Sequence, residues 1–113
     1  MTARVRCPER GDVVWIDFSP NAGHEQGGRR PGFVVSPAEY NRPSGFALLC
    51  PITSKAKGYP YEVPLPDGLP IQGVVLSDQA RSFDWRARQA QRICCAPPAT
   101  VAEVLSKIGT LVG

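Results

Sequence analysis

The run Gly23-His24-Glu25-Gln26-Gly27-Gly28-Arg29-Arg30-Pro31 places an imidazole, a carboxylate and two guanidiniums within a few residues on a glycine-rich backbone. Forked cations that grip two oxygens, beside a carboxylate that can move a proton, are the groups that handling a phosphate ester requires. A solvated hairpin loop explains the same composition without chemistry. A second cluster, Pro51-Ile52-Thr53-Ser54-Lys55, ends an apolar run in two hydroxyls and an ammonium ahead of Gly58-Tyr59-Pro60. Its plainer reading is a turn whose hydroxyls satisfy local backbone groups. In a third cluster, residues 76–88, cations, an amide and aromatics are interleaved. Either Phe83 and Trp85 fill the core with arginine stems lying over them, or the aromatics stack on unpaired bases, Arg81 and Arg86 hold phosphates and Gln79 reads a base edge.

The elements that must position these groups follow from periodicity. Residues 12–18 are β-branched and aromatic, which predicts a strand with Val14, Ile16 and Phe18 on one face. Residues 32–36 predict a second strand, residues 36–41 a capped helical turn ended by Arg42-Pro43, and residues 45–53 a third strand in which Pro51 marks an edge or a bulge. Three more short strands are expected over 61–65, 73–77 and 89–95. Val101, Val104, Leu105, Ile108, Leu111 and Val112 recur at helical spacing behind Thr100-Val101-Ala102-Glu103, which has the form of a capping box. With 12 prolines and 11 glycines spread between short strands, the pattern suits a small, strongly curved, mainly β barrel with one amphipathic C-terminal helix.

At 113 residues the chain is expected to form one domain, residues 1–113, with one core and no separate cofactor module. Its net charge of +3 comes mostly from arginine, which is compatible with phosphate recognition. No stretch is apolar enough for a membrane span, and the charged first ten residues do not resemble a signal peptide, so a cytoplasmic location is expected. In that compartment the 4 cysteines, two of them the neighbours Cys94 and Cys95, are expected to be reduced. Their spacing, with His24 the sole imidazole, gives no metal site, so neither a metal nor another cofactor is expected.

In order and spacing, residues 10–18, Gly23-His24-Glu25-Gln26 to Arg30-Pro31, Val35-Ser36-Pro37, Pro51-Ile52-Thr53 to Lys57-Gly58-Tyr59-Pro60, and Leu76-Ser77-Asp78-Gln79 to Trp85-Arg86-Ala87-Arg88 resemble the MazF/PemK toxins of bacterial toxin–antitoxin systems. The resemblance runs from about Arg10 to Gly113. It implies an SH3-like barrel of the MazF/PemK/CcdB type, a homodimer, and metal-independent cutting of single-stranded mRNA at short sequences. It further implies silencing by a MazE-like antitoxin, which can carry the toxin to promoter DNA. Arg30 and Thr53 match the positions taken to be catalytic, and Glu25 matches a contributing acidic loop residue. His24 and Arg29 match no fixed family residue. The RNA-binding set expected around them is Arg29, Ser54, Lys55, Lys57, Gln79, Arg81, Trp85 and Arg86.

Metal-free cleavage uses the ribose 2′-OH as internal nucleophile and leaves a 2′,3′-cyclic phosphate and a 5′-OH. Arg30 suits stabilisation of the dianionic phosphorane, Thr53 suits orientation of the phosphate, and Glu25 is a better base than a guanidinium that hardly deprotonates. Two other classes compete. A non-catalytic toxin of the same barrel would poison a protein such as DNA gyrase through its C-terminal helix, and a plain RNA-binding module would retain RNA intact. The resemblance is compatible with an ACA-containing recognition site.

Overall fold

The central strands of this chain are apolar on both sides of the pleat, and the structure buries both sides. A computed structural model describes residues 5–19 and 28–113. The chain runs β1 (Asp12–Asp17), β2 (Arg29–Val34), α1 (Ala38–Ser44), β3 (Phe46–Thr53), β4 (Glu62–Pro64), β5 (Val74–Leu76), a 3-10 turn (Ser77–Gln79), β6 (Arg81–Asp84), β7 (Gln91–Cys95) and α2 (Pro98–Val112). All pairing is antiparallel, in the order β4-β5-β3-β2-β1-β7, with β6 also on β3. The result is mainly β with a C-terminal helix, as expected from the sequence.

Alternation along β1 to β3 divides the core. Val13, Phe33, Cys50 and Ile52 face one cluster, which α2 covers with Val104, whereas Val14, Ile16, Val34 and Leu49 face a second cluster with Phe83 and Trp85. Phe18 is partly buried against the second cluster, on the face it was expected to share with Val14 and Ile16. Burial pushes the Cys50 thiol up to about 12, which leaves it an inert packing group. The cysteines among the described residues are all unbridged.

Several expectations need correction. A seventh strand, β6, lies within the segment of interleaved aromatics and cations: Phe83 is buried while Arg81, Ser82 and Asp84 are exposed, the period of a half-buried strand. Pro51 is on no sheet edge. Gly32 of β2 faces it on one side, and on the other β6 has ended at Leu49 and β5 begins at Ile52, so no ladder partner meets the missing N–H there. The helical turn does not stop before Pro43 but runs through it to Ser44, closed by Gly45 at φ 77°, whose N–H donates to the Asn41 carbonyl. The expected capping box does not form. Pro97 caps α2, with no side-chain bond to its first turn, and Thr100 is turned into the core. The apolar stripe of α2 also ends early, for Leu111 and Val112 are exposed.

One buried amide joins the parts that flank the sheet. Asn41, 0% exposed, donates through Nδ2 to the carbonyls of Pro8 and Ser36, both at 2.9 Å, and accepts through Oδ1 from the Ser36 hydroxyl at 2.5 Å. Its own carbonyl accepts from the Trp85 indole N–H at 2.9 Å, and Ser36 Oγ accepts from the Leu48 N–H at 2.8 Å. The N-terminal segment, α1, β3 and Trp85 just past β6 are therefore joined through Asn41 and Ser36. Asn41→Ala leaves two carbonyls and a hydroxyl without that partner and is expected to lower the unfolding free energy by about 3 kcal/mol. Denaturant unfolding checks this, and a loss below about 1 kcal/mol would show that water replaces the amide.

Candidate active site

Arg30 and Thr53 come from strands that pair through Gly32–Pro51, Phe33–Cys50 and Val34–Leu49. Continuing that register by two residues sets Arg30 opposite Thr53 on the same side of the sheet, as cross-strand neighbours are. Both line a cleft of about 330 Å³ whose other walls are Pro31, Ile52, Ser54, Lys55, Pro70, Ile71 and Gln72. Two cations, two hydroxyls and an amide converge there, and the described lining contains neither carboxylate nor imidazole. The described lining therefore suits the attraction and holding of an anion.

The hydroxyl of Thr53 is set by the turn that follows it. Thr53 Oγ1 accepts from the Lys55 backbone N–H at 3.1 Å, so its own O–H remains free to donate into the cleft. Behind the turn stands Gly73, at φ 134°, which leads into β5. A Cβ there would collide with the Thr53 carbonyl oxygen and lie 3.0 Å from its carbon and 3.4 Å from Ser54 Cα. Only glycine allows β5 to press this closely against the end of β3. Beyond Lys55 the chain is held by Glu62, whose carboxylate accepts from the backbone N–H of Lys57 at 3.2 and 3.0 Å and of Gly58 at 3.0 Å. Neither Gly73 nor Glu62 is marked by the sequence motifs, although a glycine opening a short strand is a signal of close backbone approach.

The remaining expected residues separate. Ser54 and Lys55 line the cleft and Lys57 follows them on the exposed turn. Arg29 does not join Arg30: it pairs with Asp17 in the ladder, and its Nη2 donates to the Trp15 carbonyl at 3.3 Å and to Gln91 Oε1 at 3.5 Å, over β1 and β7. Gln79, Arg81 and Arg86 are exposed but are not among the residues lining the cleft. Trp85 is a correction to the expected RNA surface. Its ring is 1% exposed, its N–H is bound to Asn41, and the Arg86 guanidinium lies 4.9 Å from its centroid, so no face is open to a base. Arg81 and Arg88 lie 5.2 and 5.3 Å from the Phe83 ring, the arrangement in which guanidiniums cover core aromatics.

Glu25 and His24 lie outside the described residues. The ends of their loop are nevertheless defined. Phe18 N–H donates to the Gly28 carbonyl at 3.4 Å, and Arg88 Nη1 donates to the carbonyls of Asp17 and Ser19 at 2.9 and 2.6 Å. Arg88 thus anchors the entry to this loop, a role that its place in the basic cluster gave no sign of. The Ser19 backbone N–H, donating to Asp17 Oδ1 at 2.9 Å, with the nearby Arg88 and Arg29 charges, holds the Asp17 carboxyl below its ordinary range. Gly73→Ala is expected to lower the melting temperature and to shift the backbone amide resonances of Ser54 and Lys55. Unchanged resonances at those two positions would show that the collision with Thr53 is relieved elsewhere.

The model of the PemK-like, MazF-like toxins of type II toxin–antitoxin systems matches residues 9–112. The endoribonuclease toxin MazF of Escherichia coli K12 is 43% identical over 106 residues, covering 94% of this chain and 95% of that protein. The crystal structure of MazF from Deinococcus radiodurans superposes with a TM-score of 0.87 at 54% identity, covering 96% of this chain and 98% of that one. A MazE–MazF crystal structure from the same organism gives a TM-score of 0.89 at 54% identity, covering 96% and 97%. Matched over nearly its whole length in sequence and in backbone, the chain belongs to the PemK-like, MazF-like toxin family of type II toxin–antitoxin systems.

Proposed function

We propose that this chain is the endoribonuclease toxin of a toxin–antitoxin pair and cuts single-stranded RNA by attack of the ribose 2′-OH on the adjacent phosphate, without a metal. The observation that carries the reading is that Arg30 of β2 and Thr53 of the adjoining strand β3 line one cation-bearing cleft. Family relatives named as endoribonucleases, MazF at 43% and PemK at 38% identity, give it independent support.

The in-line displacement passes through a phosphorane bearing more negative charge than the bound diester. Arg30 meets that charge with a planar fork whose attraction grows as the charge develops, which lowers the barrier rather than merely binding substrate. Thr53, its oxygen already engaged by Lys55 N–H, donates its proton to a non-bridging phosphate oxygen and fixes the angle of attack. Lys55 and Ser54 hold the neighbouring phosphate at the cleft wall. Because the described lining offers no base, the proton of the 2′-OH is assigned to Glu25, on the loop that joins β1 to β2 and returns to Arg30. The P–O5′ bond breaks as the 2′-oxygen bonds phosphorus, and the departing 5′-oxygen takes a proton from water, so the products are a 2′,3′-cyclic phosphate and a 5′-OH.

The same reading makes the toxin a cytoplasmic homodimer that arrests growth by destroying mRNA. A MazE-type antitoxin silences it by laying an acidic, disordered tail over the cationic cleft. A non-catalytic toxin acting on a protein target has no need of the Arg30–Thr53 pair.

Cleavage is expected to persist in excess EDTA and to stop when the nucleotide 5′ of the cut carries 2′-deoxyribose. Cutting of that deoxy substrate at the same bond would overturn internal attack. Arg30→Ala is expected to reduce turnover about a hundredfold or more, with Arg30→Lys a poor substitute because a point charge lacks the fork. Thr53→Ala is expected to cost about tenfold or more through one lost bond to a charged oxygen. Near-normal turnover in Arg30→Ala with unchanged thermal unfolding would move the site elsewhere.

A further inference from the structure

We propose that Tyr59 is a stacking platform for an unpaired RNA base beside the cleft, and that Glu62 is the positioning residue that presents it. The proposal rests on the RNA-cleaving reading above and adds to it a binding position outside the Arg30–Thr53 pair.

Tyr59 is 59% exposed, whereas Phe33, Phe83 and Trp85 are each 3% exposed or less. Exposure alone would mean little, since single exposed apolar residues are ordinary. What distinguishes this ring is the segment that carries it. The segment starts at the cleft wall with Ser54 and Lys55, and Tyr59 lies four residues beyond Lys55, hence within about 14 Å of it even in an extended chain. It contributes no residue to either core cluster, yet it is tied down at three places. The Glu62 carboxylate takes the N–H groups of Lys57 and Gly58, the Tyr59 carbonyl accepts from the Glu62 N–H at 3.1 Å, and the Lys107 ammonium on α2 donates to the Pro60 carbonyl at 2.6 Å.

Gly58, at φ 81°, supplies the left-handed residue that the turn requires. Fixing the backbone that bears an exposed ring removes part of the ordering cost from the binding step, which favours a contribution of the aromatic side chain to affinity. Around it, Lys55 and Lys57 make no ion pair among the described residues, so their ammoniums are available to phosphates. An exposed aromatic ring on a tethered backbone, with cations along the same segment, is the combination that binds single-stranded nucleic acid, with the base on the ring and the backbone on the charges. Glu62 serves this arrangement indirectly. It touches no substrate, and its carboxylate fixes the backbone that sets the ring.

The test uses the full-length protein and an oligoribonucleotide carrying a mapped cut site, made uncleavable by 2′-deoxyribose 5′ of the scissile bond. Fluorescence anisotropy gives Kd, and the all-ribose oligonucleotide gives kcat and KM. Tyr59→Ala is expected to raise Kd and KM about tenfold with kcat within about twofold, while Tyr59→Phe, which keeps the ring, stays near wild type. Glu62→Ala is expected to raise KM similarly, Glu62→Gln to recover part of the loss, and the double variant to bind no worse than Tyr59→Ala, with melting temperatures recording that each variant is folded. Wild-type Kd and KM in Tyr59→Ala overturn the platform, and if only binding of the antitoxin tail weakens, the ring serves the partner protein instead. Additive losses in the double variant overturn the positioning role of Glu62. If wild-type protein cuts no RNA, the ribonuclease reading fails, while anisotropy with the same oligonucleotide still decides the platform.

Discussion

The buried amide of Asn41 is the constraint on which the flanks of this molecule depend. An amide placed out of water must find partners for both its ends, and here it finds them on nearby Ser36 and on Pro8, distant in sequence, while the main-chain carbonyl of Asn41 receives Trp85. Apolar packing alone would let α1 slide on the sheet. A directional network allows one seating, and that seating fixes where β3 starts and where β6 ends. β3, which this network meets at Leu48, carries Thr53 at its far end.

Around that frame the chemistry is divided between strands with different obligations. β2 presents Arg30 on one side and sends Arg29 to the other, where it holds main-chain oxygen. Adjacent arginines thus have unlike roles because a strand alternates its faces, and no difference in side-chain chemistry is involved. The third basic cluster behaves similarly. Arg88 is consumed by the carbonyls at the end of β1, and Arg81, Arg86 and Arg88 all lie over core aromatics, so much of the positive charge there is structural.

Strands β1 and β3 and the helix α2 are legible in the sequence from their apolar periods, whereas β2 starts at Arg29, three residues before the strand expected over 32–36, because Arg29, Arg30 and Pro31 pair with β1 despite their polar, loop-like composition. The strand β6 is not legible, since alternating cations and aromatics read equally as a nucleic-acid surface and as a half-buried edge. Trp85 went to the wrong side of that ambiguity: what settles it is an indole partner forty-four residues away, and no local pattern encodes that. Arg30 and Thr53 are legible as residue types, and their opposition follows only once the β2–β3 register is known. Gly73 and Glu62 escape notice for a related reason, as each acts on backbone rather than through a motif.

Pro51 gives the site a mechanical character. On the N-terminal side of this residue β3 is bonded to β6, on the C-terminal side to β5, and the proline between them has no N–H to bridge the two partners. The strand is continuous in covalent terms but jointed in its lateral bonding. The end of β3 that carries Thr53 therefore takes its ladder on that side from β5 alone, so the cleft borders a part of the sheet that β6 does not reach.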